Sequence, residues 1–280
     1  MSSGLSMLRR SVSGGWVDRD VSFPAWAFVI PMLAVFVAEA ALFFGRSDYA
    51  LWIHLLTLLF CALVPLRNEE TIALLQPFAL LPLFRLVNLG MPTFFELTLL
   101  FFPFTYLPLL PALYLVARSQ GIRIGTNARA FAIGVVPVVL ISVPLAIGEY
   151  AIIAPESLIP EPSVFWLLAI MLVMIGMVGL VEELLFRGIL QRRFADYLGR
   201  WGGVIVASVL FGAMHSIYGS GLEILYATLL GLLFGAIYEW TDSIGLVSVL
   251  HGTLNVFLFA VIPIYRPDIA AEILVAVRQF

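Results

Sequence analysis

The chain has 280 residues, of which 62% are hydrophobic and only 12% charged, whereas soluble domains are about half apolar and a quarter charged. Lys and Arg together number 15 against 18 Asp and Glu, for a formal net charge of -3, which argues against a nucleic-acid partner. The single cysteine, Cys61, excludes an internal disulfide and a cysteine-rich metal site. These properties indicate an integral membrane protein.

Apolar runs long enough to cross a bilayer, about 20 residues each, follow one another along the chain. The candidate spans lie near 24–44, 50–66, 71–89, 93–117, 130–153, 163–192, 201–217, 222–240 and 244–262. The third contains Pro77, Pro82 and Arg85, so we predict that it is broken, re-entrant or tilted. The sequence therefore predicts an all-α, multi-pass bundle of about eight transmembrane helices, give or take one, in the cell membrane.

Arginine placement predicts the orientation, because cytoplasmic loops are enriched in basic residues. The arginines that flank the spans on one side are Arg9, Arg10, Arg19, Arg67, Arg118, Arg123, Arg129, Arg192, Arg193 and Arg200. The loop between the fifth and sixth spans contains Glu156 and Glu161 but no arginine. We therefore expect a cytoplasmic N-terminus. The polar segment 1–22 should be retained, since the apolar stretch after it is too long for a cleavable signal peptide.

Ionisable side chains at membrane depth are costly, so each is a candidate functional group. Those that occur singly are expected to be interfacial or locally hydrogen-bonded rather than catalytic: Glu39, His54, Arg85, Glu96, Glu149, Glu223 and Glu239.

One segment differs because two carboxylates, Glu182 and Glu183, are adjacent in an apolar helix and Arg187 follows. Glu183 and Arg187 are four residues apart, which predicts an ion pair on one helix face. Glu182 is then rotated by about 100° and stays chemically available. The alternative is a stop-transfer end, where the charges merely meet the cytoplasm.

Two later spans carry histidines in four-residue spacings, Phe211 with His215 and His251 with Asn255. Residues spaced in this way share a helix face, so an imidazole and an amide are expected to face one cavity. A lone membrane histidine is usually a packing residue, but two of them opposite a double glutamate favour a functional site. The residues can cooperate only at similar depth, which requires the helix to continue through Glu182.

Together these motifs resemble those of the CPBP family of intramembrane proteases, which includes the type II CAAX prenyl endopeptidases. The family motifs Glu-Glu-x-x-x-Arg, Phe-x-x-x-His and His-x-x-x-Asn occur in order within residues 163–262. The resemblance implies peptide-bond hydrolysis, with Glu182 as the general base and His215 holding the attacking water. It also implies that His251 and Asn255 donate hydrogen bonds to the oxyanion.

A metal mechanism stays open at this point, because a zinc ion could be bound by Glu182, Glu183, His215 and His251. The sequence lacks HExxH, and spacing cannot decide the matter. We favour the mechanism without a cofactor, in which Glu183, Arg187 and Phe211 support the site structurally.

We predict N-terminal transmembrane helices in residues 23–129, outside the resemblance, and a catalytic transmembrane core that carries the three motifs in residues 130–280. The resemblance implies a membrane-associated substrate, either a prenylated CAAX-type protein or a peptide precursor. Two other functions stay open: a proton-coupled or substrate transporter, and a catalytically silent scaffold or immunity protein of the same fold. The halves show no internal symmetry, which argues against a transporter, and the intact motifs argue against a silent scaffold.

Overall fold

The computed structural model describes residues 25–64, 69–91 and 98–277. These ranges consist of helices joined by short turns and loops, without a strand, and they confirm the predicted all-α class. The predicted polar segment, residues 1–22, lies outside the described residues, as do Arg9, Arg10, Arg19, Arg67 and Glu96. The cytoplasmic N-terminus and the domain division at residue 130 stay predictions.

The described part of the chain forms helices α1 (Ala25–Phe43), α2 (Ser47–Leu63), α3 (Glu69–Phe78), α4 (Leu80–Gly90), α5 (Phe101–Tyr106), α6 (Leu109–Ser119), α7 (Ala128–Ile153), α8 (Val164–Val173), α9 (Leu180–Glu183), α10 (Arg192–Ala213), α11 (Gly221–Thr241), α12 (Ile244–Val256), α13 (Ile262–Tyr265) and α14 (Ile269–Val277). Segments of π-helix lie within the longer stretches at Met174–Gly179, Leu184–Gln191 and Phe257–Val261. Such segments often mark functional sites, and two of them flank α9.

Seven helical stretches among the described residues are long and apolar enough to cross a membrane: Ala25–Phe43, Thr71–Gly90, Phe101–Ser119, Ala128–Ile153, Val164–Tyr218, Gly221–Thr241 and Ile244–Tyr265. Helix α2 is a shorter apolar helix of 17 residues. The protein is therefore a multi-pass membrane protein, as predicted.

Backbone geometry explains one predicted boundary between spans and corrects another predicted interruption. Gly199 has a φ of 74°, which interrupts the long stretch Val164–Tyr218 between the predicted sixth and seventh spans. A left-handed conformation of this kind is readily adopted by glycine. The third span was predicted to be broken, re-entrant or tilted, but it is not broken: Ala79 has right-handed helical angles, φ -57° and ψ -23°, and Thr71–Gly90 is one apolar helical stretch. Backbone hydrogen bonds from Ala79 to Leu75 and from Leu83 to Ala79 continue the helix past the prolines.

Small residues bring the two main motif helices into backbone contact. A Cβ atom on Gly252 of α12 would lie 2.3 Å from the Cα of Ile175, and one on Gly179 would lie 2.7 Å from the carbonyl oxygen of Ser248. Close approach through small residues is typical of membrane helix pairs. This contact fixes the helix of Glu182 against α12.

We expect Gly252→Ala to lower the free energy of unfolding of the detergent-solubilised protein by about 1–3 kcal/mol, the usual cost of an overpacked contact. Its melting temperature should fall accordingly. The added methyl group would meet backbone rather than a flexible side chain. Gly176→Ala is the matched control, because its Cβ would meet only Leu172 Cδ1, at 3.6 Å. Equal melting temperatures for the two variants would contradict the close contact.

Candidate active site

One cavity in the bundle is lined by residues of all three sequence motifs, together with residues that no motif contains. The motif residues are Glu182, Phe211, His215, His251 and Asn255, and the additional polar ones are Tyr106, Glu149 and Tyr218. The cavity offers about 70 Å³ to water-sized molecules. That is room for a few waters.

Glu182 lies in a helix that continues without a break, as the proposed site requires. Residues 174–198 are helical throughout, with α9 between two π-helical segments. The hydroxyl of Tyr106 donates a hydrogen bond to Oε1 of Glu182, and Oε2 lies 3.9 Å from Nε2 of His251. Sequence reasoning missed Tyr106, because it lies among apolar residues and belongs to no motif.

Glu183 and Arg187 form the predicted ion pair, with 2.9 Å between Oε1 and Nη1. Both side chains are buried. The same Oε1 atom lies 2.8 Å from Nδ1 of His251. Glu183 therefore does more than neutralise Arg187, since it also orients the imidazole of α12 towards the cavity.

The hydrogen bonds of the two histidines decide where their protons lie. Nδ1 of His215 lies 2.8 Å from the carbonyl oxygen of Phe211, and Nδ1 of His251 lies against the carboxylate of Glu183. A carbonyl or carboxylate oxygen can only accept, so Nδ1 carries the proton in both rings. In a neutral ring, Nε2 then presents a lone pair.

The amide of Asn255 lines the same cavity one helical turn after His251. The hydrogen bonds made within the described ranges involve no atom of this amide. It is therefore available to a group that enters the cavity.

Residues 164–257 match a protein-family model described as Rce1-like, type II CAAX prenyl endopeptidase Rce1-like. The chain carries an Rce1-like domain. The match contains all three motifs and confirms the family resemblance that they predicted. The Rce1-like family indicates an intramembrane protease of the CAAX type. Neither the curated proteins nor the solved structures contain a match to the chain.

Phe211 contributes to the Rce1-like domain through its ring. The guanidinium of Arg187 lies 4.6 Å from the ring centroid of Phe211 and 5.4 Å from that of Phe234. Arg187 also donates a hydrogen bond of 3.1 Å to the carbonyl oxygen of Gly231 in α11. One buried arginine thus joins the helix of Glu183 to α10 and α11.

We expect Arg187→Lys to destabilise the protein even though the charge is kept, by about 1–3 kcal/mol for the lost charged hydrogen bond. Lysine lacks the planar fork that can pair with Glu183, reach Gly231 and lie on the ring of Phe211 together. Thermal unfolding in detergent measures the effect, with the exposed Arg200→Lys as the control. An unchanged melting temperature would show that the charge alone suffices.

Helices outside the Rce1-like domain hold the turn that carries His215. Arg85 of α4 binds both oxygens of Glu39 of α1 at 2.8 Å and donates to the carbonyl of Met214. Glu39 in turn accepts from the hydroxyl of Ser216. The residues on either side of His215 are therefore bound by one buried pair.

This network corrects the expectation for three residues that occur singly in the sequence. His54 of α2 also joins it, with Nε2 3.2 Å from Oε1 of Glu39. Glu39, His54 and Arg85 are at most 3% exposed, and they bind one another across three helices rather than lying at an interface. The expectation failed because the partners are distant in sequence. Glu239, by contrast, pairs with the exposed Arg200 at 2.6 Å.

The four residues predicted as alternative zinc ligands do not converge on a metal site. Among the described residues, no group of three or more His, Cys, Asp or Glu side chains is placed to hold a metal ion. Oε1 of Glu183 is already shared by Arg187 and His251. The donor set therefore does not fit a zinc ion held by Glu182, Glu183, His215 and His251.

Proposed function

We propose that this protein is an intramembrane endopeptidase in which Glu182 activates a water molecule for attack on a peptide bond. The observation that carries the proposal is the different environment of the two adjacent glutamates. Glu183 is already paired with Arg187 and His251. Glu182 instead lines the cavity beside His215, His251 and Asn255. A carboxylate positioned in this way is a suitable general base.

In the proposed reaction, a water molecule in the cavity donates one hydrogen bond to Glu182 and one to Nε2 of His215. Nε2 of His215 is free to accept, because the ring proton is on Nδ1, which donates a hydrogen bond to the carbonyl oxygen of Phe211. Glu182 then takes a proton from the water as its oxygen bonds to the substrate carbonyl carbon. The arrangement orients the water before the attack, which lowers the entropic part of the barrier.

The oxyanion would be stabilised by Asn255 and His251, in different ways. The Asn255 amide can donate a hydrogen bond directly. His251 already donates Nδ1–H to Glu183, so its Nε2 can donate only when the ring is protonated. His251 therefore acts as a cationic oxyanion donor in this proposal, and preorganised donors of this kind contribute strongly where the dielectric constant is low.

The proposed substrate is a membrane-associated protein or peptide, with a prenylated CAAX-type sequence as the first to be tested. We expect the full-length protein in liposomes to cleave a quenched fluorescent peptide that ends in a farnesylated CAAX sequence. The same peptide without the prenyl group is the control, and cleavage of both would favour a broader peptide substrate. The proposed function would be contradicted if the wild-type protein cleaved neither substrate, with turnover no higher than that of Glu182→Gln.

We expect exhaustive chelation to leave peptide hydrolysis unchanged, because the proposed base is a carboxylate and the donor set does not fit a metal. Metal analysis of the purified protein should find transition metals well below stoichiometric amounts. Loss of activity on chelation, followed by recovery on addition of Zn²⁺, would contradict the metal-independent mechanism, since zinc itself would then activate the water.

A further inference from the structure

Two buried carboxyl groups near the cavity have no cation to pair with among the described residues. Glu149 is 6% exposed and Glu223 is 0% exposed. Oε2 of Glu149 and both oxygens of Glu223 lack a hydrogen-bond partner within the described ranges. The buried arginines of this part of the chain, Arg85 and Arg187, bind other carboxylates. Two ionised groups here would be very costly.

The two carboxyl groups lie on helices that pack closely, Glu149 on α7 and Glu223 on α11. A Cβ atom on Gly148 would lie 2.4 Å from the hydroxyl oxygen of Tyr226, and that hydroxyl donates to the carbonyl of Leu145 at 2.8 Å. Glu149 follows Gly148 directly, and Glu223 precedes Tyr226 by one helical turn. This close helix contact therefore places the two carboxyl groups at neighbouring positions on α7 and α11.

Glu149 also faces the reaction site, because it lines the same cavity as Glu182 and interacts with it electrostatically. Three neighbouring carboxyl groups in a medium of low dielectric cannot all be ionised, so at least one proton is retained among them. Glu182 accepts a hydrogen bond from Tyr106, whereas Oε2 of Glu149 and both oxygens of Glu223 have no partner within the described ranges. A buried carboxyl group without a partner is least costly when it is neutral. The proton is accordingly held by Glu149 and Glu223.

We propose that Glu149 is a further catalytic residue, a neutral carboxylic acid that protonates the leaving amine, with Glu223 helping to retain its proton. The proposal rests on the proposed function of the site. Glu149 lies outside residues 164–257, the segment matched by the family model, so the domain match does not contain it.

The proton balance of the step is complete without a co-reactant. Glu182 takes one proton from water while the water oxygen bonds to the carbonyl carbon. When the tetrahedral intermediate collapses, the C–N bond breaks, its electron pair stays on nitrogen, and Glu149 supplies a proton to that nitrogen. The proton on Glu182 then passes through cavity water to Glu149, which restores both residues and consumes one water molecule per cleavage.

The test compares a peptide with a thioester analogue that carries sulfur in place of the scissile nitrogen. A thiolate can leave without a proton near neutral pH, since a thiol has a pKa of about 8.5, whereas an amine leaves only when protonated. We expect Glu149→Gln to lower peptide hydrolysis by about 10²-fold, within the range for a general acid, and to keep thioester hydrolysis close to wild type. Glutamine is isosteric with the neutral acid, so folding should be retained.

The outcomes separate this inference from the proposed function. Glu182→Gln should lose hydrolysis of both the peptide and the thioester. A wild-type protein that hydrolyses neither would contradict the proposed function itself. Equal losses on both substrates for Glu149→Gln, or no loss on either, would overturn the role of Glu149 alone. If Glu149→Gln does not fold, Glu149→Asp replaces it, because an acid set back by one methylene should lower the ratio of peptide to thioester turnover. An unchanged ratio would overturn the proposal.

Discussion

Replacement of Glu182 by glutamine is expected to lower peptide hydrolysis by about 10²–10⁴-fold, the usual contribution of a positioned general base. Glutamine keeps the shape of the side chain, and its amide oxygen can still accept a hydrogen bond from the hydroxyl of Tyr106. The Glu183–Arg187 pair is unaffected, so the variant should unfold at nearly the wild-type temperature. Turnover of the labelled peptide in liposomes and thermal unfolding in detergent measure the two effects separately.

The matched control for this experiment is Glu161→Gln, which makes the same change of charge at an exposed loop position. It should leave both activity and stability unchanged. Turnover of Glu182→Gln close to wild type would reject Glu182 as the base, because an amide cannot take a proton from water at neutral pH. Loss of activity together with a large drop in melting temperature would instead assign Glu182 a structural role.

The fold was predictable to the extent that it depends on local hydrophobicity. Each predicted span that lies within the described ranges corresponds to helix, because a long apolar segment in lipid must satisfy its own backbone hydrogen bonds. The i, i+4 pair of Glu183 and Arg187 was predictable for a similar reason, since both partners lie on one helix. The break predicted from Pro77 and Pro82 is wrong, because backbone hydrogen bonds continue the helix on both sides of Ala79.

The parts of the site that sequence analysis missed are those made between helices. Tyr106 donates to Glu182 across 76 positions of the chain, and Ser216 donates to Glu39 across 177. A tyrosine or an isolated glutamate in an apolar run looks the same in the sequence whether its side chain faces lipid, packs in the core or lines a functional site. The packing of the helices alone decides which of these environments the side chain meets. Residues outside the matched domain can therefore contribute to the cavity.

The network around Glu39 leads to the second large effect that we expect, a loss of stability of about 3–5 kcal/mol in Arg85→Met, as for other broken buried pairs. Methionine leaves Glu39 buried without its main partner, and it removes the donor to the Met214 carbonyl. The turn of His215 loses one of its two attachments. Thermal or denaturant unfolding of the full-length protein measures the loss, and turnover per folded molecule should fall as well.

A double-mutant cycle distinguishes the buried pair from a general packing defect. Glu39→Gln removes the carboxyl group that Arg85→Met leaves buried without its partner, so the double variant Glu39→Gln/Arg85→Met should be more stable than Arg85→Met alone. Its activity should nevertheless stay low, because neither side chain can then hold the turn as the native pair does. A displacement of about 1 Å at a catalytic group can cost about 10²-fold in rate. A double variant that recovers stability and full activity together would show that the pair stabilises the bundle without positioning His215.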